Sequence, residues 1–128
     1  IYCERRQGDL AAPLVDALAA LPKDEAPEDM AEILLNTAIA YGSRGNNDRA
    51  LVYLAKVIQE YPGTEEAEWA GFFTGLALGL KGEREAAIKQ LEQVISTAKN
   101  EGIRERARIL RDRFRAEDEQ GPPTGPSL

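Results

Sequence analysis

Residues 31–64 read AEILLNTAIAYGSRGNNDRALVYLAKVIQEYPGT, and this stretch decides the fold. Together with Met30, the residues Ile33, Leu34, Thr37, Ala38 and Tyr41 recur at helical spacing, so one face of a first helix is apolar. The turn SRGNN around Gly45 ends that helix, and Asn46 or Asn47 supplies a cap for the next. A second helix carries Ala50, Leu51, Leu54, Val57 and Ile58 on one side and stops at Tyr61-Pro62-Gly63. Two amphipathic helices joined by so short a turn make an antiparallel hairpin.

Immediately downstream, Thr64 is placed to cap a helix whose first turn holds Glu65 and Glu66, acids that suit the positive end of the helix dipole. Its body, residues 69–80, reads WAGFFTGLALGL without a charge, and Gly71, Gly75 and Gly79 fall on one ridge. Each interior glycine costs about 1 kcal/mol relative to alanine, which close packing of neighbouring helices must offset. The run is apolar on every side, so the reading places it at the centre of an all-helical domain. Gly82 turns the chain into a further amphipathic helix, Glu83 to about Ala98, with Ala87, Ile88, Leu91, Val94 and Ile95 inward. After the polar segment 99–102, a last helix over 102–118 shows Ile103, Ala107, Leu110 and Phe114 at spacings of four, three and four, with arginine on most other sides.

In the other direction, Leu10, Leu14, Leu18 and Leu21 predict an amphipathic helix from Asp9 to Leu21, ended by Pro22, with Pro13 tolerable in its first turn. Residues 1–8 are expected to be a frayed segment. The ending GPPTGPSL, with three prolines and two glycines, predicts a disordered tail over 119–128.

Shifting the chain by 37 positions superposes Ala38, Tyr41, Gly45, Ala50, Leu54 and Val57 on Gly75, Leu78, Gly82, Ala87, Leu91 and Val94. Small residues meet small, large meet large, and turn glycine meets turn glycine. A hairpin that cannot bury its own apolar face stacks on its neighbour. The 34-residue block 31–64 resembles a tetratricopeptide repeat at Leu34, Ala38, Tyr41, Gly45, Ala50, Leu54 and Pro62, departing from the pattern at Thr37. The block 68–101 resembles a second repeat, with Gly71 at a usually large position and Lys99 in place of the closing proline. The connection within PGTEEAEWA looks like that of bacterial envelope repeat proteins. Ile103, Ala107 and Leu110 echo the start of a third repeat, serving as a capping helix, and residues 9–22 echo the end of an earlier one. The resemblance covers 9–118 and implies five to six helices in a right-handed superhelix of antiparallel hairpins.

Composition bounds the chemistry. The chain has 128 residues, one cysteine and no histidine. Cys3 alone supports neither an internal disulfide nor a cysteine-rich zinc site, and the usual general base and metal ligand is missing. The acids Asp24, Glu25, Glu28, Asp29 and Glu32 lack the spacing of a calcium loop and suit a helix start. No residue resembles an activated nucleophile, so the reading is of a protein that is not an enzyme and uses no cofactor. A net charge of −6 opposes nucleic acid as the ligand, although residues 104–115 carry six arginines against two acids, a local +4. The uncharged run 69–80 is too short to span a membrane. Ile1 is not an initiator methionine, so further sequence is expected upstream. The compartment, bacterial cytoplasm or periplasm for a soluble chain of this kind, is unreadable.

Tetratricopeptide repeats line a concave groove with the first helix of each hairpin. Carried onto this chain, the resemblance implies an apolar floor including Leu35, Ile39, Trp69, Phe72, Phe73 and Leu76, with Asn36 beside it and an edge of Arg104, Arg108 and Arg111. Such a groove suits a protein or peptide segment that pairs large apolar side chains with carboxylates. The alternative is a homo-oligomer in which a second chain covers the helix 69–80.

Overall fold

Among the described residues, three glycines with positive φ punctuate the chain: Gly45 at +84°, Gly63 at +82° and Gly82 at +92°. A side chain there would strain the backbone, so each turn is written into the sequence. The computed structural model describes residues 12–22, 24–25 and 28–119. Among these residues the fold is all-α: α1 (Ala12–Ala19), α2 (Met30–Ser43), α3 (Asn47–Glu60), α4 (Glu65–Leu80), α5 (Arg84–Thr97) and α6 (Glu101–Glu119). Two compact units divide the chain, one up to Ala70 and one from Gly71.

The caps explain several of the boundaries. Asn46 accepts a hydrogen bond from the Arg49 amide at 3.2 Å and starts α3. Thr64 Oγ1 accepts from the Ala67 amide at 3.1 Å while donating to the Tyr61 carbonyl at 2.7 Å, so one hydroxyl links the end of α3 to the start of α4. Asn100 Oδ1 accepts from the Ile103 amide at 3.1 Å, which starts α6 at Glu101 and places Gly102 inside its first turn rather than in a loop. The expected start at 102 was therefore one residue late. Asp29 stands at the N-cap of α2, which begins at Met30, without a side-chain capping bond.

In the first unit, α2 and α3 form the hairpin expected from residues 31–64, and α1 packs on α2. Its core holds Met30, Ala31, Leu34, Leu35, Ala38, Tyr41, Ala50, Tyr53, Leu54 and Val57. The inward face of α1 differs from the sequence reading: Val15 is buried, whereas Leu14 and Leu21 are exposed and Leu18 is intermediate. Leucine spacing alone does not say which flank of a short helix meets its neighbour. Leu10, Cys3, the expected frayed segment 1–8 and nearly all of the expected tail lie outside the described residues.

In the second unit the glycine ridge is filled from within. A Cβ at Gly71 would lie 2.9 Å from Val94 Cγ2, one at Gly75 2.7 Å from Leu91, and one at Gly79 2.1 Å from Phe114 Cζ. Positions rising along α4 meet positions falling along α5, so the two helices run antiparallel with almost no space between them. The α5–α6 pair is closed by Ile103, Ala107 and Phe114, all buried. Two ion pairs, Arg84–Glu117 and Arg115–Glu92, join the same helices. The three small-residue contacts repay the helix-propensity cost of the glycines through dispersion and burial.

Candidate functional site

The ten residues singled out by the sequence divide between the units. Leu35, Asn36 and Ile39 on α2 and Trp69 on the first part of α4 belong to the first; Phe72, Phe73, Leu76, Arg104, Arg108 and Arg111 belong to the second.

On α2, Leu35 is 8% exposed and belongs to the core, while Asn36 and Ile39 are exposed. The face that α2 offers to solvent is therefore narrower than the expected floor. Packing decides this. Leu34 and Leu35 are both drawn inward because α2 is flanked by both α1 and α3, which widens its buried arc.

On α4, the glycine ridge and the alanines Ala70 and Ala77 are buried, whereas Trp69, Phe72, Phe73 and Leu76 are intermediate. Leu80 at the end of the helix is 62% exposed. Phe72 and Phe73 meet edge to face, with centroids 5.3 Å apart and planes at 74°. An aromatic pair held at that angle presents a ring face and a ring edge side by side. It is rigid apolar area of the kind that anchors a partner at little entropic cost.

The arginines of α6 are not a bare cationic strip. Arg104 donates through Nη1 to the Ala98 carbonyl at 2.8 Å and through Nη2 to Glu101. It thereby satisfies a carbonyl just beyond the end of α5, a structural duty the sequence does not advertise. Arg111 places both Nε and Nη2 on Asp112 Oδ1, each at 3.1 Å. Arg108 makes one bond, from Nη1 to Glu105 Oε1 at 3.2 Å. Each expected edge residue thus already holds a carboxylate of its own helix, and the three pairs together are neutral. With the arginine side chains 22–41% exposed and their carboxylates 60–75%, these pairs contribute at most about 1 kcal/mol each, so they orient the guanidinium groups more than they stabilise the fold.

A feature that periodicity did not bring out lies in the first unit. Tyr53 is almost fully buried, stacks on Tyr41 at 5.8 Å with planes 6° apart, and donates its hydroxyl to Asp16 Oδ1 at 2.9 Å. Arg44 and Arg49 lie 5.1 Å and 5.7 Å from the centroid of the Tyr41 ring. Burial first, then Asp16, pushes the Tyr53 hydroxyl up to about 12. The only advance signal was a tyrosine beside Leu54 on an amphipathic helix.

Among the described residues no group of histidine, cysteine, aspartate and glutamate side chains is arranged to hold a metal ion, and no helix is long and apolar enough to cross a membrane. Residues 32–64 match the family model of the tetratricopeptide repeat. That segment coincides with the α2–α3 hairpin and its closing turn, and consecutive helices pack against each other as in helical-hairpin repeats. Such repeats are generally protein–protein interaction modules. No curated protein and no solved structure matches the chain.

Proposed function

We propose that this chain is a non-enzymatic binding module whose second unit grips a segment of a protein partner on the half-buried face of α4, beside the arginines of α6. The observation that carries the reading is the division of α4. Its glycine ridge is filled by Val94, Leu91 and Phe114 of the same chain, while Phe72, Phe73 and Leu76 stay only half-buried. Large apolar side chains that the fold leaves partly uncovered, on a helix whose glycines are all packed against, favour a surface kept for contact over leftover core. Affinity then comes from apolar contact with these three residues, and selectivity from the polar edge. On α2 of the first unit, Asn36 and Ile39 are the exposed counterparts. The acidic chain, and the carboxylates already paired with the α6 arginines, favour a protein partner over nucleic acid.

Self-association is the competing reading, supported by the exposure of Leu80. The filled ridge argues against the version in which two copies of α4 meet glycine to glycine. Light scattering separates the two readings. A monomer at tens of micromolar favours the partner groove, and a concentration-dependent dimer abolished by Leu80→Asp favours self-association.

The direct test is an array of short peptides probed with the chain and with a Leu76→Asp variant of unchanged helicity. Peptides combining large apolar and acidic residues should bind the parent and not the variant. Equal binding by both, or no binding above background, overturns the site.

A further inference from the structure

The three arginines of α6 are not equivalent, and their hydrogen bonds rank them. Arg104 spends its two terminal nitrogens on Ala98 and Glu101. Arg111 turns its Nε and Nη2 edge, the one that matches a carboxylate side-on, onto Asp112, and its side chain is only 22% exposed. Arg108 engages Nη1 alone, is 41% exposed, and leaves Nε and Nη2 without a partner among the described residues.

We infer that Arg108 is the specificity-determining residue of the proposed surface, taking a carboxylate of the partner side-on through Nε and Nη2 while Glu105 holds Nη1. This rests on the partner-binding reading above and narrows it to acid-bearing segments. Two parallel N–H···O bonds need the guanidinium plane fixed beforehand, since a free arginine side chain loses considerable rotamer entropy on being held. The Glu105 pair supplies that fixing at small cost, being exposed on the carboxylate side and one helical turn away. Because Glu101, Glu105 and Asp112 cancel the charge of the three arginines, long-range attraction is weak, and discrimination arises from the geometry of the fork.

The test uses the full chain and two labelled short peptides, one alternating leucine with glutamate and one alternating leucine with glutamine, measured by fluorescence anisotropy. The parent should prefer the glutamate peptide by about tenfold, in line with a charge-assisted hydrogen-bond pair. Arg108→Gln should erase the preference, Arg108→Lys should fail to restore it, and Arg113→Gln, at an exposed arginine of the same helix outside the proposed edge, should leave it intact. A preference that survives Arg108→Gln, or that Arg108→Lys restores in full, overturns the inference. Equal binding of both peptides by the parent also overturns it while leaving the apolar reading standing. Binding of neither removes the partner-binding reading and this inference with it.

Discussion

Tyr53 on α3 donates its hydroxyl to Asp16 on α1 across 2.9 Å, a contact spanning 37 residues of chain. Its ring lies flat on Tyr41 of α2, so three helices of the first unit share one polar–aromatic joint. The phenol is buried and the carboxylate exposed, which sets the direction of the pH effect.

The Tyr53 hydroxyl rises from an ordinary 10.0 to about 12, chiefly through burial and then through Asp16. Below pH 10 neither the folded nor the unfolded chain ionises it, and its contribution is complete. Between 10 and 12 only the unfolded chain ionises, so stability falls as pH rises, by up to about 3 kcal/mol in total. Tyrosinate absorbance should show a late step near pH 12, and Tyr53→Phe should remove it. The same variant should cost about 1 kcal/mol at neutral pH, since Asp16 can turn to water. An absorbance curve near pH 12 that Tyr53→Phe leaves unchanged would contradict this account.

Gly42 and Gly79 lie 37 residues apart, in register with the sequence period, and should respond to alanine with opposite signs. A Cβ at Gly42 meets only Ala50 Cβ at 3.8 Å, an ordinary contact, so Gly42→Ala should raise stability by up to about 1 kcal/mol through helix propensity. At Gly79 the new atom would fall 2.1 Å from the buried Phe114 ring, and Gly79→Ala should lower stability by about 1–3 kcal/mol. Pairing Gly79→Ala with Phe114→Leu should recover part of the loss. Urea denaturation of the four chains measures this, and additive effects would rule out the contact.

Variants of Arg104 and Arg108 should separate structure from the proposed recognition. Arg104→Ala frees the Ala98 carbonyl and should cost about 1 kcal/mol in stability, whereas Arg108→Ala should stay within about 0.5 kcal/mol. Thermal melts of the two variants, read beside the peptide titrations, decide it: equal losses would mean that both arginines act only in the fold.

The cap of α6 offers a further check. Asn100→Ala removes the acceptor for the Ile103 amide and should cost about 1 kcal/mol, with Asn100→Asp nearly neutral because a carboxylate at a helix start is also favoured. Faster amide exchange confined to the first turn of α6 in the alanine variant is the expected signature.

The sequence by itself determined where the helices lie and where they turn. Apolar residues at spacings of three and four leave a helix no other buried face, and Gly45, Gly63 and Gly82 supply backbone angles that other residues resist. Asn46 and Thr64 were legible as caps for the same local reason. The 37-residue period likewise marked the buried pairs Ala50 and Ala87, Leu54 and Leu91, and Val57 and Val94. Tertiary structure decided what periodicity leaves open. Which flank of α1 is covered, whether Leu35 faces the core, and what meets the glycine ridge all depend on neighbours distant in sequence. The candidate site shows this most plainly. Spacing placed Arg104, Arg108 and Arg111 on one face, but only the folded chain shows that Arg104 closes α5, Arg111 is held by Asp112, and Arg108 retains an open edge. A hydrogen bond is set by the position of both partners, and a linear pattern contains only one of them.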